Sequence, residues 1–310
     1  MFEYYYTKKH YHTLDYYLKS KYQKKVFKIP LNASFSCPNR DGNKGYGGCL
    51  FCSEKGSGDF AGSPQKPLLE QFEEIRQIME NKWKDGYYIV YFQAYSNTYG
   101  SISKLKETFE PFINKKNVIG MSIATRCDCI NEEIVHYLKQ LKNHFKEFWV
   151  ELGLQSANSK TMKKLNLKYS FSEFKKAVKL LHKANIDVVV HIIDGLLDES
   201  IQNQINTIKK LNQLPIQGIK IHILNILKDS RLAPLYLNHT YQVLKEDTFY
   251  DIIINQLRYL KDDVIIHRIG ADSNQENLIA PDWVKKKLSI IDKIDQIMDK
   301  NDFFQGDLNF

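Results

Sequence analysis

The sequence predicts an α/β fold, a partial TIM-like (β/α)6 barrel with N- and C-terminal extensions. Three observations carry the prediction. Short runs rich in Val, Ile, Phe and Tyr recur along the chain, and amphipathic stretches of helical length separate them. No internal repeat, low-complexity tract or Pro/Gly/Ser linker breaks the alternation. Such alternation favours a parallel sheet with right-handed crossovers. Six units suit an incomplete barrel, whose site lies at the C-terminal ends of the strands.

Residues 1–26 read as a basic-aromatic extension. Tyr4, Tyr5, Tyr6, Tyr11, Tyr16, Tyr17 and Tyr22 interleave there with Lys8, Lys9, Lys19, Lys21, Lys24 and Lys25. Two readings stand. Aromatic platforms among cations are what single-stranded RNA binders use. An amphipathic helix that packs its Tyr on the barrel and turns its Lys to water has the same composition.

The barrel core is expected over 27–230, with strands at 27–35, 88–94, 118–124, 148–154, 187–193 and 218–224. Each is short and β-rich, as buried parallel strands are. Helices are expected at 68–83, 101–112, 131–142, 170–183 and 199–214. Ser170, with Glu173 three residues on, reads as a capping box that starts the fourth of these. A C-terminal extension over 231–310 packs on the barrel, with a last strand at 264–269 and a closing helix at 283–298.

Composition narrows the function classes. An apolar fraction of 43% is ample for a core, yet no apolar run reaches the ~18 residues of a membrane span. The N-terminus carries no apolar stretch after its charges, against a secretory signal. Five Cys, odd in number and unevenly spread, argue against a disulfide framework. They suit a reducing cytoplasm, where clustered cysteines serve metals or catalysis. A net charge of +8 and a pI near 8.9 invite a polyanion such as RNA, although lysine enrichment alone is the plainer reading.

The cysteines carry the chemistry. Cys37 follows the first strand in Ser36-Cys37-Pro38-Asn39-Arg40-Asp41-Gly42, and Gly47-Gly48-Cys49-Leu50-Phe51-Cys52 completes the loop. Three thiolates on one loop suit a cubane cluster, ligating three irons and leaving the fourth open to a small molecule. Zinc is the alternative, with Cys49 and Cys52 as one half-site and Cys127 and Cys129 as the other. That arrangement gives Cys37 no role. A redox C-x-x-C is a third option, which Gly47-Gly48 fits poorly.

Cys37-x11-Cys49-x2-Cys52, with Phe51 before the last ligand, resembles an expanded radical SAM motif. The surrounding stretches resemble the YhcC/YtqA family, which is similar to the Elongator catalytic subunit. They include Tyr11-His12-Thr13-Leu14, Tyr91-Phe92-Gln93-Ala94-Tyr95-Ser96-Asn97-Thr98-Tyr99 and Glu151-Leu152-Gly153-Leu154-Gln155-Ser156. Gly218-Ile219-Lys220-Ile221-His222, His267-Arg268 and Leu278-Ile279-Ala280-Pro281 continue the likeness. Three places depart from the family pattern: Cys127 stands at a usual proline, and Leu165-Asn166-Leu167-Lys168 and Gly270-Ala271-Asp272-Ser273 are altered runs.

The resemblance implies a [4Fe–4S] cluster on Cys37, Cys49 and Cys52, with S-adenosylmethionine (SAM) on the open iron. It implies that Gln93-Ala94-Tyr95 holds the methionyl amine, and that Glu151 and Gln155 serve ribose hydroxyls and the methionyl carboxylate. From the residues alone, Glu151 reads as a partner for Arg126, since a buried acid needs one. Arg126, Asp128, Asn97, Thr98 and Tyr99, just past strand ends, are candidates for substrate contact. His191 and His222 read as hydrogen-bonded core histidines before they read as catalytic ones. Cys127 and Cys129 read as small buried residues, with hydrogen donation or an auxiliary metal as the alternative.

The implied function is a cytoplasmic radical SAM enzyme that modifies the wobble uridine of tRNA. The step is trimming of a 5-carboxymethylaminomethyl group towards 5-aminomethyl. A low-potential donor such as flavodoxin or ferredoxin would supply electrons, and no membrane is involved. A radical SAM enzyme with another substrate, or a zinc-stabilised RNA-binding protein without radical chemistry, is the alternative.

Overall fold

In the computed structural model, which describes residues 8–56, 58, 60–270 and 275–309, seven strands form one parallel sheet. They are β1 (Val26–Asn32), β2 (Tyr87–Gln93), β3 (Val118–Arg126), β4 (Glu147–Gln155), β5 (Asp187–Asp194), β6 (Gly218–Ile223) and, after a short β7 (Ile226–Leu227), β8 (Ile265–Ile269). The order is β1-β2-β3-β4-β5-β6-β8, parallel throughout. The sheet curls into a half-barrel, so that Lys28 on β1 reaches Glu151 on β4 across the interior at 2.7 Å. The run at 264–269 is therefore a full seventh strand of the sheet. A further strand, β9 (Leu278–Ala280), pairs antiparallel with β7.

The crossover helices lie outside the sheet. They are α2 (Leu68–Lys82), α3 (Ile102–Phe109), α4 (Glu132–Lys142), α5 (Ser159–Lys164) with α6 (Phe171–Lys183), and α7 (Ile201–Leu211), and they follow α1 (Leu14–Tyr22). The Ser170–Glu173 capping box is present at the start of α6. After β7 come α8 (Ala233–Leu237), α9 (Glu246–Tyr259) and finally α10 (Lys287–Lys300). Among the described residues, no helix is long and apolar enough to cross a membrane.

Helix α9 went unread in the sequence. Phe249, Tyr250, Ile252, Ile253, Ile254, Gln256 and Leu257 are all buried. Asp247, Asp251, Asn255 and Arg258 recur at helical spacing on the side left unburied, so the 3.6-residue period is present in the sequence.

The N-terminal segment resolves towards packing. Helix α1 lies between the sheet's two edges, with a parallel bridge from Thr13 to Ile266 of β8. Leu18 packs in a separate apolar cluster with Ile89, Ile119, Trp149 and Val189, near the N-terminal ends of the strands. The lysines meet the protein's own acids: Lys9 pairs with Asp295, Lys25 with Asp15, and Lys21 with Glu147. Tyr22 also donates to Glu147, at 2.6 Å. Tyr4, Tyr5 and Tyr6 lie outside the described residues, as do Ala271, Asp272 and Ser273. The C-terminal tail secures this segment, with buried Gln305 accepting from the His12 N–H and donating to the carbonyls of Lys261 and Val264.

Candidate functional site

The cysteine loop leaves the C-terminal end of β1 and folds over the rim. Cys37 and Cys49 are buried and Cys52 is half-buried, and none of the three is in a disulfide. The loop is tied to the turn after α5, not only to itself. Leu50 donates its N–H to the Leu165 carbonyl, Asn39 donates to the Asn166 carbonyl at 2.7 Å, and Asn166 returns a bond to the Gly48 carbonyl at 2.9 Å. Gly48 is required: its φ is +73°, and a Cβ there would come within 2.9 Å of Arg40 Nε. The altered 165–168 run is thus the seat of the cysteine loop.

The Cys49 sulfur meets two N–H groups. Asn39 Nδ2 donates at 3.5 Å and Arg126 Nη1 lies at 4.0 Å. Burial, with Cys52 and Cys37 beside it, pushes the Cys49 thiol up to about 12, against the pull of Arg126 and Asn39. N–H donors and a buried cation suit a sulfur that becomes a thiolate on binding metal. The residues present therefore fit a cluster. Among the described residues, no three His, Cys, Asp or Glu converge as a single ion would require. Thiolates on a cubane sit on separate irons and need no such convergence.

The substrate candidates beside the loop are engaged elsewhere. Arg126 grips Asp128 with two bonds, at 2.9 and 2.8 Å, donates to the Leu167 carbonyl and lies over the Tyr169 ring. Although burial opposes it, Arg126 and Lys44 hold Asp128 below its usual range. This buried ion pair lies against the cysteine loop, with Arg126 Nη1 4.0 Å from the Cys49 sulfur and Lys44 Nζ 3.0 Å from Asp128. Neither Arg126 nor Asp128 lines the cavity at the barrel rim, and Arg126 is not the partner of Glu151. Asn97 is fully buried and spends its amide on the carbonyls of Phe92, Ala94 and Ala124, locking β2 to β3. Thr98 bonds Thr125 and the Cys129 carbonyl. Tyr99 accepts from Asn43 at 2.8 Å, within reach of the loop. Cys127 and Cys129 are buried, and burial raises both thiols.

The rim holds two of the expected cofactor residues together. Gln93 and Gln155 line one cavity of about 650 Å³ that also touches Phe51 and Ser53 of the cysteine loop. Two consecutive left-handed residues, Ala94 (φ 71°) and Tyr95 (φ 58°), turn the chain off β2 towards that loop. Arg40 stacks on the Tyr95 ring at 5.4 Å. Gln155 is also left-handed, at φ 68° beside a register shift, and its amide folds over Gly153, where a Cβ would lie 2.7 Å away.

Glu151 stands apart. Its carboxylate lies beneath the rim, accepting from Lys28 (2.7 Å), Ser122 (2.6 Å), the Trp149 indole (3.1 Å), His191 (2.8 Å) and Lys220. Burial alone would raise this carboxyl, but Lys220, Lys28 and His191 outweigh it and hold it well below the usual range. Its acceptor positions are thus filled by protein donors, whereas the resemblance implied a place for Glu151 beside ribose hydroxyls or the methionyl carboxylate. His191 and His222 line the cavity and bond each other at 3.3 Å, so they are hydrogen-bonded but not buried in the helix layer. Lys28, Lys220 and Tyr91 were missed. The available signal was a lysine at an inward-facing position of an otherwise apolar strand.

A parallel half-barrel whose first strand runs into a three-cysteine loop at its C-terminal rim defines enzymes that pair an iron–sulfur cluster with SAM. The chain belongs to the radical SAM superfamily: the superfamily model matches residues 37–211, and the Radical_SAM C-terminal domain model matches 216–300. The cofactors are those of the family, a [4Fe–4S] cluster and SAM. The chain is 40% identical over 305 residues to YtqA of Bacillus subtilis strain 168, covering 98% of this chain and 94% of the relative. It is 28% identical over 284 residues to YhcC of Escherichia coli K12, covering 92% and 91%. An N-terminally truncated Elp3 from Methanocaldococcus infernus shares the fold, with a TM-score of 0.68 at 15% identity over 91% of this chain. This chain spans 64% of that one.

Proposed function

We propose that Cys37, Cys49 and Cys52 hold the cluster, and that the enzyme acts on the wobble uridine of tRNA. The reaction removes the carboxymethyl part of a 5-carboxymethylaminomethyl group: with SAM as the two-electron oxidant and water as co-reactant, the N–CH2 bond breaks, the two carbons leave as glyoxylate, and 5-aminomethyl remains. When bound, the reduced cluster supplies the electron that splits SAM into methionine and a 5′-deoxyadenosyl radical, which abstracts hydrogen from the substrate. The chain's own residues bind, orient and exclude water. Gln93, with the backbone turned at Ala94 and Tyr95, offers carbonyls for an amine. Gln155, folded back over Gly153, offers an amide to ribose hydroxyls. Ile193, Leu224 and Phe51 wall the cavity against water.

The observation that carries the radical reading is the three-thiol loop at the rim of that cavity. The tRNA reading rests on the resemblance to the Elongator catalytic subunit and on the net charge of +8. A flavodoxin or ferredoxin would deliver the electron. Mass spectrometry of wobble nucleosides from cells with and without the gene tests the substrate. Accumulated 5-carboxymethylaminomethyl-uridine in the deletion is the expected result, and unchanged nucleosides would move the enzyme to another substrate.

A further inference from the structure

The cavity ends on a layer of inward-facing polar side chains. Lys28 of β1, Tyr91 of β2, Ser122 of β3, Glu151 of β4, His191 of β5 and Lys220 of β6 converge there from successive strands. Glu151 takes bonds from four of them, and Lys220 also reaches the Tyr91 hydroxyl at 3.2 Å. Trp149, which donates to Glu151, belongs to the apolar cluster around Leu18, so this layer is the floor of the cavity.

Among the described residues, the floor holds more cationic than anionic side chains. Two lysine amines, Lys28 and Lys220, share one carboxylate there. The histidines are neutral and add no charge of either sign: burial brings His191 down to about 4 and holds His222 and His267 well below their usual range. Arg268 also lines the cavity and acts on both lysines as a like charge. Burial, reinforced by Lys28 and Arg268, brings Lys220 down to about 7 even with Glu151 beside it. A purely structural ion pair needs no second buried ammonium, and an uncompensated buried charge is costly. Yet the surplus faces open space: the Lys28 and His191 side chains remain 20% and 18% exposed, towards the cavity they line.

We propose that this floor is a binding site for a carboxylate borne by the substrate, received by Lys220 and Lys28. The site deepens the tRNA reading and rests on it for the molecule that brings the carboxylate. The 5-carboxymethylaminomethyl group ends in a carboxylate and the 5-aminomethyl product does not. The floor therefore favours substrate over product and lets the product leave.

The test uses the reconstituted holoenzyme, with Lys220→Met to remove one cation while Glu151 keeps Lys28, and Lys220→Arg as the charge-preserving control. Two anticodon stem-loop RNAs, bearing 5-carboxymethylaminomethyl-uridine or 5-aminomethyl-uridine, are titrated against each form. N-methylglycine and methylamine are titrated separately, read by tryptophan fluorescence, since Trp149 touches the floor. The wild type and Lys220→Arg should prefer the carboxylated RNA by about tenfold or more, as a hydrogen bond to a charged group would give. Lys220→Met should lose that preference together with the response to N-methylglycine. If N-methylglycine binds through Lys220 but the two RNAs bind alike, the carboxylate site stands and the tRNA reading fails. If the wild type neither responds to N-methylglycine nor prefers the carboxylated RNA, the proposal is overturned. It is equally overturned if Lys220→Met weakens SAM binding while N-methylglycine binding persists, which would give the floor to the cofactor's own carboxylate.

Discussion

The side-chain amide of Asn39 donates to the sulfur of Cys49 at 3.5 Å. The same amide holds the Asn166 carbonyl, so the middle cysteine is fixed by a turn more than a hundred residues further along the chain. A ligand loop anchored in this way is set before any metal arrives.

Three thiols so arranged give the first prediction. Replacing Cys37, Cys49 or Cys52 with Ala should strip most iron and sulfide from anaerobically purified protein, because on the proposed assignment each thiolate would hold its own iron. Cys127→Ala and Cys129→Ala should retain the metal. Iron loss in those two variants, with iron kept in Cys37→Ala, would give the metal to a different site.

Glu151 and Gln155 should separate in their effects. Glu151→Ala leaves Lys28 and Lys220 buried without their counter-ion, which should cost roughly 3–5 kcal/mol in denaturant unfolding. Gln155→Ala breaks no such network. It should unfold like wild type yet bind SAM about tenfold more weakly, the loss expected for one hydrogen bond to a polar ligand. Wild-type SAM affinity in Gln155→Ala would remove it from the cofactor site.

Asp194 and Gln256 set a pH dependence remote from the site. Gln256 Nε2 donates to Asp194 Oδ1 at 2.7 Å, while Asp194 Oδ2 and Gln256 Oε1 are buried with no partner. Burial raises Asp194 to about 8, so it is protonated at neutral pH, and the protonated carboxyl gains a donor that the carboxylate lacks. Unfolded, this carboxyl releases its proton near pH 4. The folded state therefore holds the extra proton between about pH 4 and 8. This contribution to stability is complete below pH 4 and is lost as pH rises towards 8, by about a few kcal/mol. Asp194→Asn should flatten that slope in urea midpoints measured from pH 5 to 9.

Leu18 should matter for stability and the neighbouring lysines little for RNA. Leu18→Ala opens a cavity against Ile89, Ile119, Trp149 and Val189 and should cost about 2–5 kcal/mol. Binding of tRNA should weaken steeply with salt, as phosphate contacts release counterions. Changing Lys8, Lys9, Lys24 and Lys25 to Ala should leave that slope largely in place, because α1 packs near the opposite end of the strands from the cysteine loop. A slope markedly flattened by these four changes would return the N-terminus to the RNA-binding surface.

The sequence by itself determined the parallel α/β barrel, because strands buried on both faces read as short β-rich runs and the crossover helices kept a polar face. It pointed to a metal site, with zinc standing beside the cluster as the alternative, because three cysteines within sixteen residues and the glycines among them are local. Helix α9 escaped even though Asp247, Asp251, Asn255 and Arg258 mark its polar face. Only the tertiary structure decided what each polar side chain meets. Arg126 and Asp128 turned to each other against the cysteine loop, Asn97 locked two strands, and Glu151 gathered Lys28 and Lys220 from strands 123 residues before it and 69 after it. Those meetings depend on the curl of the sheet and the stagger of its strands, which sum small twists and register shifts over the whole fold, and no local pattern of residues carries that sum.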